Sequence, residues 1–501
     1  MKEALQNGRK RAGIVATALM VLLVGVIALA QQSGESEPAV ADSDPAPAAE
    51  AAPEPDASAV GGAAPPAMTV ASSSADMPVG RVGDGAGGLS AAYDGASAAD
   101  DVAVPAGPLP PLGEDVFPSV AAPRVPKPAA VRGLYVNAWA AGSRRKMAKL
   151  IALADSTEIN SFVIDVKDAT GYVSYPTGVA LARQIGADRD TRIRDIRGLL
   201  AELRAHGIYP IARIVVFKDP LLAKRKPEWA IQKDSGGIWV DHNGELWVDS
   251  FNREVWDYAI ALAREAVLLG FSEVQWDYVR FPDVPQRFMR TAVYPARAGR
   301  TREDAIREFL RYSRDRLSDL GVLITADVFG LTVSANTDMG IGQRWEKMVD
   351  VTDVLLPMVY PSHFAKGSYG IPVPNADPYQ TVKTAMDFAV ARSAGVAGAA
   401  AIRPWLQDFT LGWPDYGAAE VRAQIKATYD AGIDEWVLWN PASDYTAAAL
   451  APEGGEPPDL PIPVHRPRIT IRDPQPEPLP LLGVPVETVK PIAPRDSTGG
   501  R

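Results

Sequence analysis

The sequence predicts an α/β fold: a closed (β/α)8 TIM barrel with a long hairpin after its third strand, between two disordered Pro/Ala-rich arms. Two observations predict it. Between residues 129 and 450, short Val/Ile/Leu-rich runs alternate with helical stretches. That alternation means parallel strands joined by crossover helices. Eight such runs in about 320 residues fit an eight-stranded barrel, whereas the alternative, a doubly wound sheet, normally stops at five or six. The second observation is where two residue types fall. Of the 44 prolines, 16 lie in residues 31–128 and 13 in 451–501, while all 11 tryptophans lie between 129 and 450.

The elements follow in order. The first strand is expected over Val131–Asn137, with a helix near Arg144–Thr157. Ser161–Lys167 is the second, followed by a helix near Ile193–His206. Ile208–Phe217 is the third, with a long excursion before the helix Arg253–Leu269. Ser272–Tyr278 is the fourth, then a helix near Arg302–Leu320. Val322–Phe329 is the fifth, then a helix near Gln343–Val349. Val354–Tyr360 is the sixth, then a helix near Tyr379–Ser393. Ala399–Trp405 is the seventh, then a helix near Ala418–Ala431, and Asp434–Asn440 closes the set. Gly270 and Gly321 read as helix stops.

The arms have their own chemistry. Lys2, Arg9, Lys10 and Arg11 precede the weakly polar to apolar run Ala12–Ala30. As a helix this run measures roughly 28 Å, enough to just span a hydrocarbon core of ~30 Å. The basic flank would stay cytoplasmic and place the rest outside. Ala28-Leu29-Ala30 also reads as a cleavage site, so residues 1–30 are either a membrane anchor or a signal peptide. Residues 31–128, rich in Ala, Pro, Ser, Gly and Asp, cannot bury enough apolar area to offset chain entropy and read as a disordered linker. Gly83-x-Gly85-x-x-Gly88 within it follows no strand and opens no helix, which argues against a phosphate site. Residues 451–501 read as a similar Pro-rich tail.

Composition excludes several classes. With 47% hydrophobic residues the chain is neither a multispan membrane protein nor a fibrous rod. Zero cysteines remove disulfides, thiolate metal sites and thiol nucleophiles. Four histidines leave little for a metal centre, and neither metal nor cofactor is expected. The net charge of -10 argues against nucleic acid as a partner. Oligomeric state is left open.

A barrel places its site at the C-terminal strand ends, with side chains alternating between lumen and helix layer. In the second strand Val163, Asp165 and Lys167 share one face. In the fourth Gln275 and Asp277 share one, and in the fifth Thr325 and Asp327 do. Arg213 stands in the third, and the sixth ends on Met358 and Tyr360. Unpaired carboxylates are expensive to bury, so three on nearby strands read as a site rather than as separate structural ion pairs. Carboxylates on neighbouring strands start from a spacing of ~4.8 Å. Their oxygens then fall in the ~5–9 Å range used by glycosidases. Trp139, Trp276, Trp405, Trp413, Trp436 and Trp439 lie near strand ends or the loops that follow, where aromatic faces stack on sugar rings. Trp276 and Trp436 are expected in the helix layer instead.

The segment Glu273-Val274-Gln275-Trp276-Asp277-Tyr278-Val279-Arg280-Phe281-Pro282 resembles the fourth-strand signature, Q-[FW]-D-Y-[IV]-R-[FY]-P, of a family of TIM barrels assigned as glycoside hydrolases. Gly133-Leu134-Tyr135, Asp165-Val166-Lys167-Asp168, Ala326-Asp327-Val328-Phe329-Gly330, Pro357-Met358-Val359-Tyr360-Pro361-Ser362-His363 and Pro404-Trp405-Leu406-Gln407-Asp408-Phe409 extend it over residues 130–447. The resemblance implies a glycan-active barrel without naming its sugar, similar to barrels that act on bacterial surface polysaccharides.

By similarity to retaining barrel glycosidases with a fourth-strand Asp, Asp277 is expected as nucleophile and Asp327 as acid/base. Asp165, Lys167, Arg213, Gln275, Arg280, Tyr360, His363, Trp405, Gln407, Trp439 and Asn440 are the expected substrate-binding residues. Several carry an alternative: Lys167 pairs with Asp165, Arg280 pairs with Asp283 or another loop acid, Asp165 belongs to a structural network, His363 is a hydrogen-bonding residue rather than a ligand, and Trp405 and Trp439 pack in the core. The excursion Gly237–Asp249 reads as a hairpin around Asn243-Gly244. Trp239 and Trp247 on it either pack it down or stack on glycan. The expected function is hydrolysis of an extracytoplasmic poly- or oligosaccharide. A catalytically inactive glycan-binding barrel is the alternative. A metal-dependent deacetylase would need His and Asp ligands at close spacing, which His206, His242, His363 and His465 do not provide.

Overall fold

The computed structural model describes residue 109 and residues 111–466. Eight parallel strands close into a barrel: β1 (Arg132–Val136), β2 (Ser161–Lys167), β3 (Tyr209–Val215), β4 (Glu273–Asp277), β5 (Leu323–Phe329), β6 (Val354–Met358), β7 (Trp405–Gln407) and β8 (Trp436–Trp439). Neighbours in sequence are neighbours in the sheet, and β8 closes onto β1 through Arg132↔Trp436, Gly133↔Val437 and Leu134↔Leu438. The β6–β7 seam is in two pieces. Ala401–Ile402 pairs with the start of β6 and Trp405 with Met358 at its end. Pro404, which has no N–H to donate, stands between the pieces.

Among the helices of the described residues, seven follow the strands in turn: α1 (Arg144–Asp155), α2 (Ile196–Ala205), α3 (Arg253–Leu269), α4 (Arg302–Leu317), α5 (Trp345–Met348), α6 (Pro378–Ser393) and α7 (Ala418–Asp430). The chain is therefore the expected (β/α)8 barrel. After β8 a single 3-10 turn, Ala447–Ala449, stands where an eighth helix would.

Local chemistry sets these elements. All seven residues of β2 are buried, as a strand between lumen and helices requires. Side-chain caps open α1–α4 and α6. Asn252 accepts from the Glu254 amide, Thr301 from Asp304, and Asp377 from Gln380 with Pro378 in the first turn. Gly270 ends α3 at φ +123°, a conformation closed to other residues. Two apolar layers result. The outer one lies between sheet and helices, and Trp276 and Trp436 belong to it, donating to the Ser313 and Tyr429 hydroxyls at 3.1 and 3.0 Å. The inner one fills the lumen with Val131, Val163, Ile211, Leu356 and Val437. At the N-terminal strand ends, Arg403 is completely buried between Glu273 (2.6 Å) and Glu435 (2.8 Å).

The arms differ in part from expectation. Residues 115–127, placed in the expected linker, pack along the barrel. Val116 N donates to Gly178 O, Ala122 N to Leu268 O, and Ser272 Oγ to Val125 O. Lys127 pairs with Glu435. Apolar Val125 and Phe117 carry this contact, so the segment buries more than its proline content implies. The start of the expected tail also packs: Ala451 is buried, and His465 bonds Glu420 at 2.8 Å. Residues 1–108, among them the apolar run 12–30 and most of the linker, lie outside the described residues, as does the tail beyond 466. Among the described residues no helix is long and apolar enough to cross a membrane.

The excursion after β3 is pinned down rather than regular. Its hairpin is a set of single bridges, Ala230↔Val248, Gln232↔Ile238 and Val240↔Leu246. Gly244 takes φ +86° at the tip. Trp239 and Trp247 are buried, and Trp247 donates to Asp241 at 3.1 Å. Both therefore pack the hairpin onto the barrel.

Candidate active site

The register of the sheet assembles the site. Asp165 on β2 pairs with Arg213 on β3, and Arg213 pairs with Gln275 on β4. Gln275 pairs with Thr325 and Trp276 with Ala326 on β5, which sets Asp277 beside Asp327 one step further on. With period-2 alternation, Asp165, Arg213, Asp277 and Asp327 all face the lumen at its C-terminal mouth. Leu356 and Val437 below them are apolar and fully buried.

Arg213 is the centre of this cluster. Its Nη1 donates to Asp165 Oδ1 at 2.5 Å, and its Nε donates to Asp277 Oδ2 at 2.9 Å, with Nη2 joining the same oxygen. The Tyr135 hydroxyl holds the other oxygen of Asp165 at 2.6 Å. Burial pushes the Tyr135 hydroxyl well above its usual range. Burial also pushes Asp165 up, against the pull of Arg213. The carboxylates of Asp165 and Asp277 drive the Arg213 guanidinium up in turn, past its own desolvation.

Asp277 is the last residue of β4, and the chain turns sharply after it. Tyr278 adopts φ +48°, strained for a bulky residue, at a cost of about 1–3 kcal/mol. The turn points the Tyr278 amide at Asp277 Oδ1, 2.6 Å away. Both oxygens of Asp277 are thereby fixed.

Asp327 is treated differently. It is buried and no cation bonds it. Gln275 Nε2 donates to both its oxygens at 2.9 and 3.1 Å, and the Trp405 indole to Oδ1 at 2.7 Å. Burial first, and the neighbouring Asp277 charge second, push its carboxyl well above the usual range. That shift favours its protonated form. Close approach of β5 to β6 keeps this wall tight: a Cβ on Gly330 would lie 2.4 Å from Met358 O.

These groups open into a cleft of about 420 Å³. Tyr135, Tyr278, Tyr360, Trp405 and Trp439 supply its aromatic walls, and Asp168 and Thr170 part of its rim. Trp439 stacks on Tyr135 with centroids 6.1 Å apart and lies 5.5 Å from Tyr360.

Of the expected residues, Asp165, Arg213, Asp277, Asp327, Tyr360, Trp405 and Trp439 line the cleft, and Gln275 stands behind Asp327. Five lie off it. Lys167 is buried in an ion pair with Asp219 at 2.6 Å, not with Asp165. A register shift between Asp165 and Lys167 breaks the alternation that put them on one face. Arg280 pairs with Asp283 at 2.8 Å, with Trp247, Tyr278 and Phe329 rings around it. Gln407 bonds the Ser362 amide and the Phe409 carbonyl. Asn440 bonds the Asp408 carbonyl and the Ala442 amide. His363 packs behind Tyr360 beside Ser362, its pKa lowered by burial to about 4. The remaining histidines have separate surroundings: His206 with Asp155, His242 on Phe288, and His465 with Glu420.

Tyr135, Asp168, Thr170 and Tyr278 line the cleft without having been expected there. Alternation from Gly133 would have found Tyr135. Nothing local in the sequence announces the turn at Tyr278.

The model of the family described as "Putative glycosyl hydrolase domain" matches residues 133–445. The chain belongs to this family. Its glycosyl hydrolase domain thus spans β1 to the loop after β8. No sequence among the curated proteins matches the chain. Among solved structures, a hypothetical protein from Ruminiclostridium thermocellum shares 37% identity, with a TM-score of 0.35 over 39% of this chain and 97% of that one. The PgaB (BpsB) glycoside hydrolase domain from Bordetella bronchiseptica shares 11%, with a TM-score of 0.45 over 63% and 95%. An alpha-galactosidase from Thermus thermophilus shares 15%, with a TM-score of 0.39 over 64% and 60%.

Proposed function

We propose that this glycosyl hydrolase domain hydrolyses an extracytoplasmic poly- or oligosaccharide, with Asp277 as nucleophile and Asp327 as acid/base. One observation carries the reading: of the three carboxyls at the mouth, Asp165 and Asp277 are bonded to Arg213, and Asp327 is not. Arg213 neutralises Asp277, whereas Asp327 meets only neutral donors and is pushed toward its protonated form. That division is what a glycosidase needs.

The steps follow. Asp277 attacks the anomeric carbon as the glycosidic C–O bond breaks, and Asp327 gives its proton to the departing oxygen. Water then displaces the sugar from Asp277, passing its proton to the Asp327 carboxylate and restoring both groups. Arg213 and the Tyr278 amide hold Asp277 in one orientation. Asp165 and Tyr135 hold Arg213 from the far side. Tyr360, Trp405 and Trp439 give the apolar face of a pyranose something to pack on. Residues 12–30, basic-flanked and apolar, would carry the domain out of the cytoplasm as an anchor or a cleaved signal.

The test uses the full chain. It is incubated with bacterial exopolysaccharides, peptidoglycan glycan strands, galactosaminans, and α- and β-glucans, and mass spectrometry searches for new oligosaccharides. Products that vanish in Asp277→Asn support the reading. Retention of a polymer without any product overturns it in favour of a binding barrel.

A further inference from the structure

We infer that Trp139 is a sugar-stacking platform that leads a polymeric substrate out of the barrel mouth into a second groove. The inference rests on the glycosidase reading above and adds to it that the preferred substrate is a chain longer than the cleft.

Trp139 is the most exposed of the 11 tryptophans, at 68%. A lone exposed apolar side chain is ordinary. This one differs in place and in rigidity. It sits on the short helix Ala138–Gly142, directly after β1. It lines the catalytic cleft, and it also lines an adjoining groove of about 740 Å³. The indole is therefore the ridge shared by the two.

Its orientation is fixed from one side. The Arg192 guanidinium lies 4.5 Å from the ring centroid, a cation–π geometry. Arg192 is itself held by the Asp190 carbonyl at 2.5 Å and carboxylate at 2.6 Å, and its amide donates to Ser174 O at 2.9 Å. The helix below is held too. Asn137 Oδ1 accepts from the Ala140 amide at 2.8 Å, and its Nδ2 donates to Pro441 O at 2.8 Å. A ring so exposed, with Arg192 on one face, leaves the other face to solvent. A preformed platform binds without an ordering cost.

The groove walls state the ligand class. Arg144, Asp190, Arg194 and Glu202 line it beside Trp139. Charged donors and acceptors around one aromatic face suit a sugar, which presents hydroxyls at its edge and C–H groups on its face. Met147, Ile193 and Leu199 line it as well, so apolar surface alternates with charged groups, as the two kinds of sugar surface require.

The test compares Trp139→Ala, Trp139→Phe and wild type in the full chain. The probes are β-1,4- and β-1,6-linked N-acetylglucosamine, α-1,4-galactosamine and glucan oligosaccharides, di- and trisaccharides against hexasaccharides and longer. In the series that wild type cleaves, the ratio of kcat/KM on long chains to that on short ones should fall about tenfold in Trp139→Ala. Trp139→Phe should recover part of it. Thermal melting checks that the variants fold. An unchanged ratio in Trp139→Ala overturns the platform and leaves the carboxylate reading standing. If wild type cleaves nothing but is retarded by one polymer in an affinity gel, the carboxylate reading fails, and loss of retardation in Trp139→Ala upholds the platform. Unchanged retardation overturns it. Neither cleavage nor retardation by wild type overturns both.

Discussion

Two arginines sit at opposite ends of the same barrel, each between two carboxylates, Arg403 buried and Arg213 part-buried. At the N-terminal end Arg403 lies between Glu273 and Glu435, with Lys127 completing the set. At the C-terminal end Arg213 lies between Asp165 and Asp277, with Asp327 beside them. The lower set balances two cations against two anions, and the packed segment 115–127 closes over it. The upper set has one cation for three carboxyls, a strained residue at Tyr278, and an open cleft. A buried ion cluster alone is a structural device. Unbalanced charge, strain and access together mark the site.

Removing the uncompensated acid should have a large effect. Asp327→Asn should cut turnover of the cleaved polymer by about a thousandfold. The same variant reports on stability. Burial raises the folded pKa of Asp327 above its unfolded value, so its stabilising contribution is present below the unfolded pKa of ~4 and lost as pH rises through the folded one. Relative to wild type, Asp327→Asn should therefore gain melting temperature as pH rises. A constant offset across pH would break the contrast between the two ends.

The arginines come next. Arg213→Met strands the buried Asp165 and Asp277, and Arg403→Met strands the buried Glu273 while Glu435 keeps Lys127; each should cost about 3–5 kcal/mol in denaturant unfolding. They should part in turnover per folded molecule, which Arg213→Met loses and Arg403→Met keeps. Equal losses of turnover would erase the distinction.

The smaller effect belongs to His363, behind the cleft wall. Burial lowers its pKa from 6.5 to about 4. The stability it contributes is present above 6.5 and lost as pH falls toward 4, about 3 kcal/mol in all. His363→Gln should flatten the melting curve in that window. A variant that melts with the wild-type pH dependence would assign the acid loss to other groups.

Much of the upper end was legible in the sequence. Asp165, Arg213, Asp277 and Asp327 each stand late in an apolar strand, and alternation alone brought them to one mouth. Lys167 was misplaced because a register shift within β2 moves it to the other face, and no local signal marks that shift. Arg280 had its partner three residues away, so the sequence offered the ion pair and the substrate contact equally. The lower end was not legible. Glu273 and Arg403 lie 130 residues apart, and only barrel closure brings them together. Proline-rich residues 115–127 looked like linker because they are held by a few scattered anchors, apolar Val125 and Phe117 with single backbone and side-chain bonds, which composition does not record.

The most direct measurement is turnover by Asp277→Asn in the full chain, on whichever polymer wild type cleaves. Loss by at least about a thousandfold in a variant that melts near the wild-type temperature is the predicted result. Wild-type turnover by that variant would contradict the assignment of the upper carboxylates as a catalytic pair.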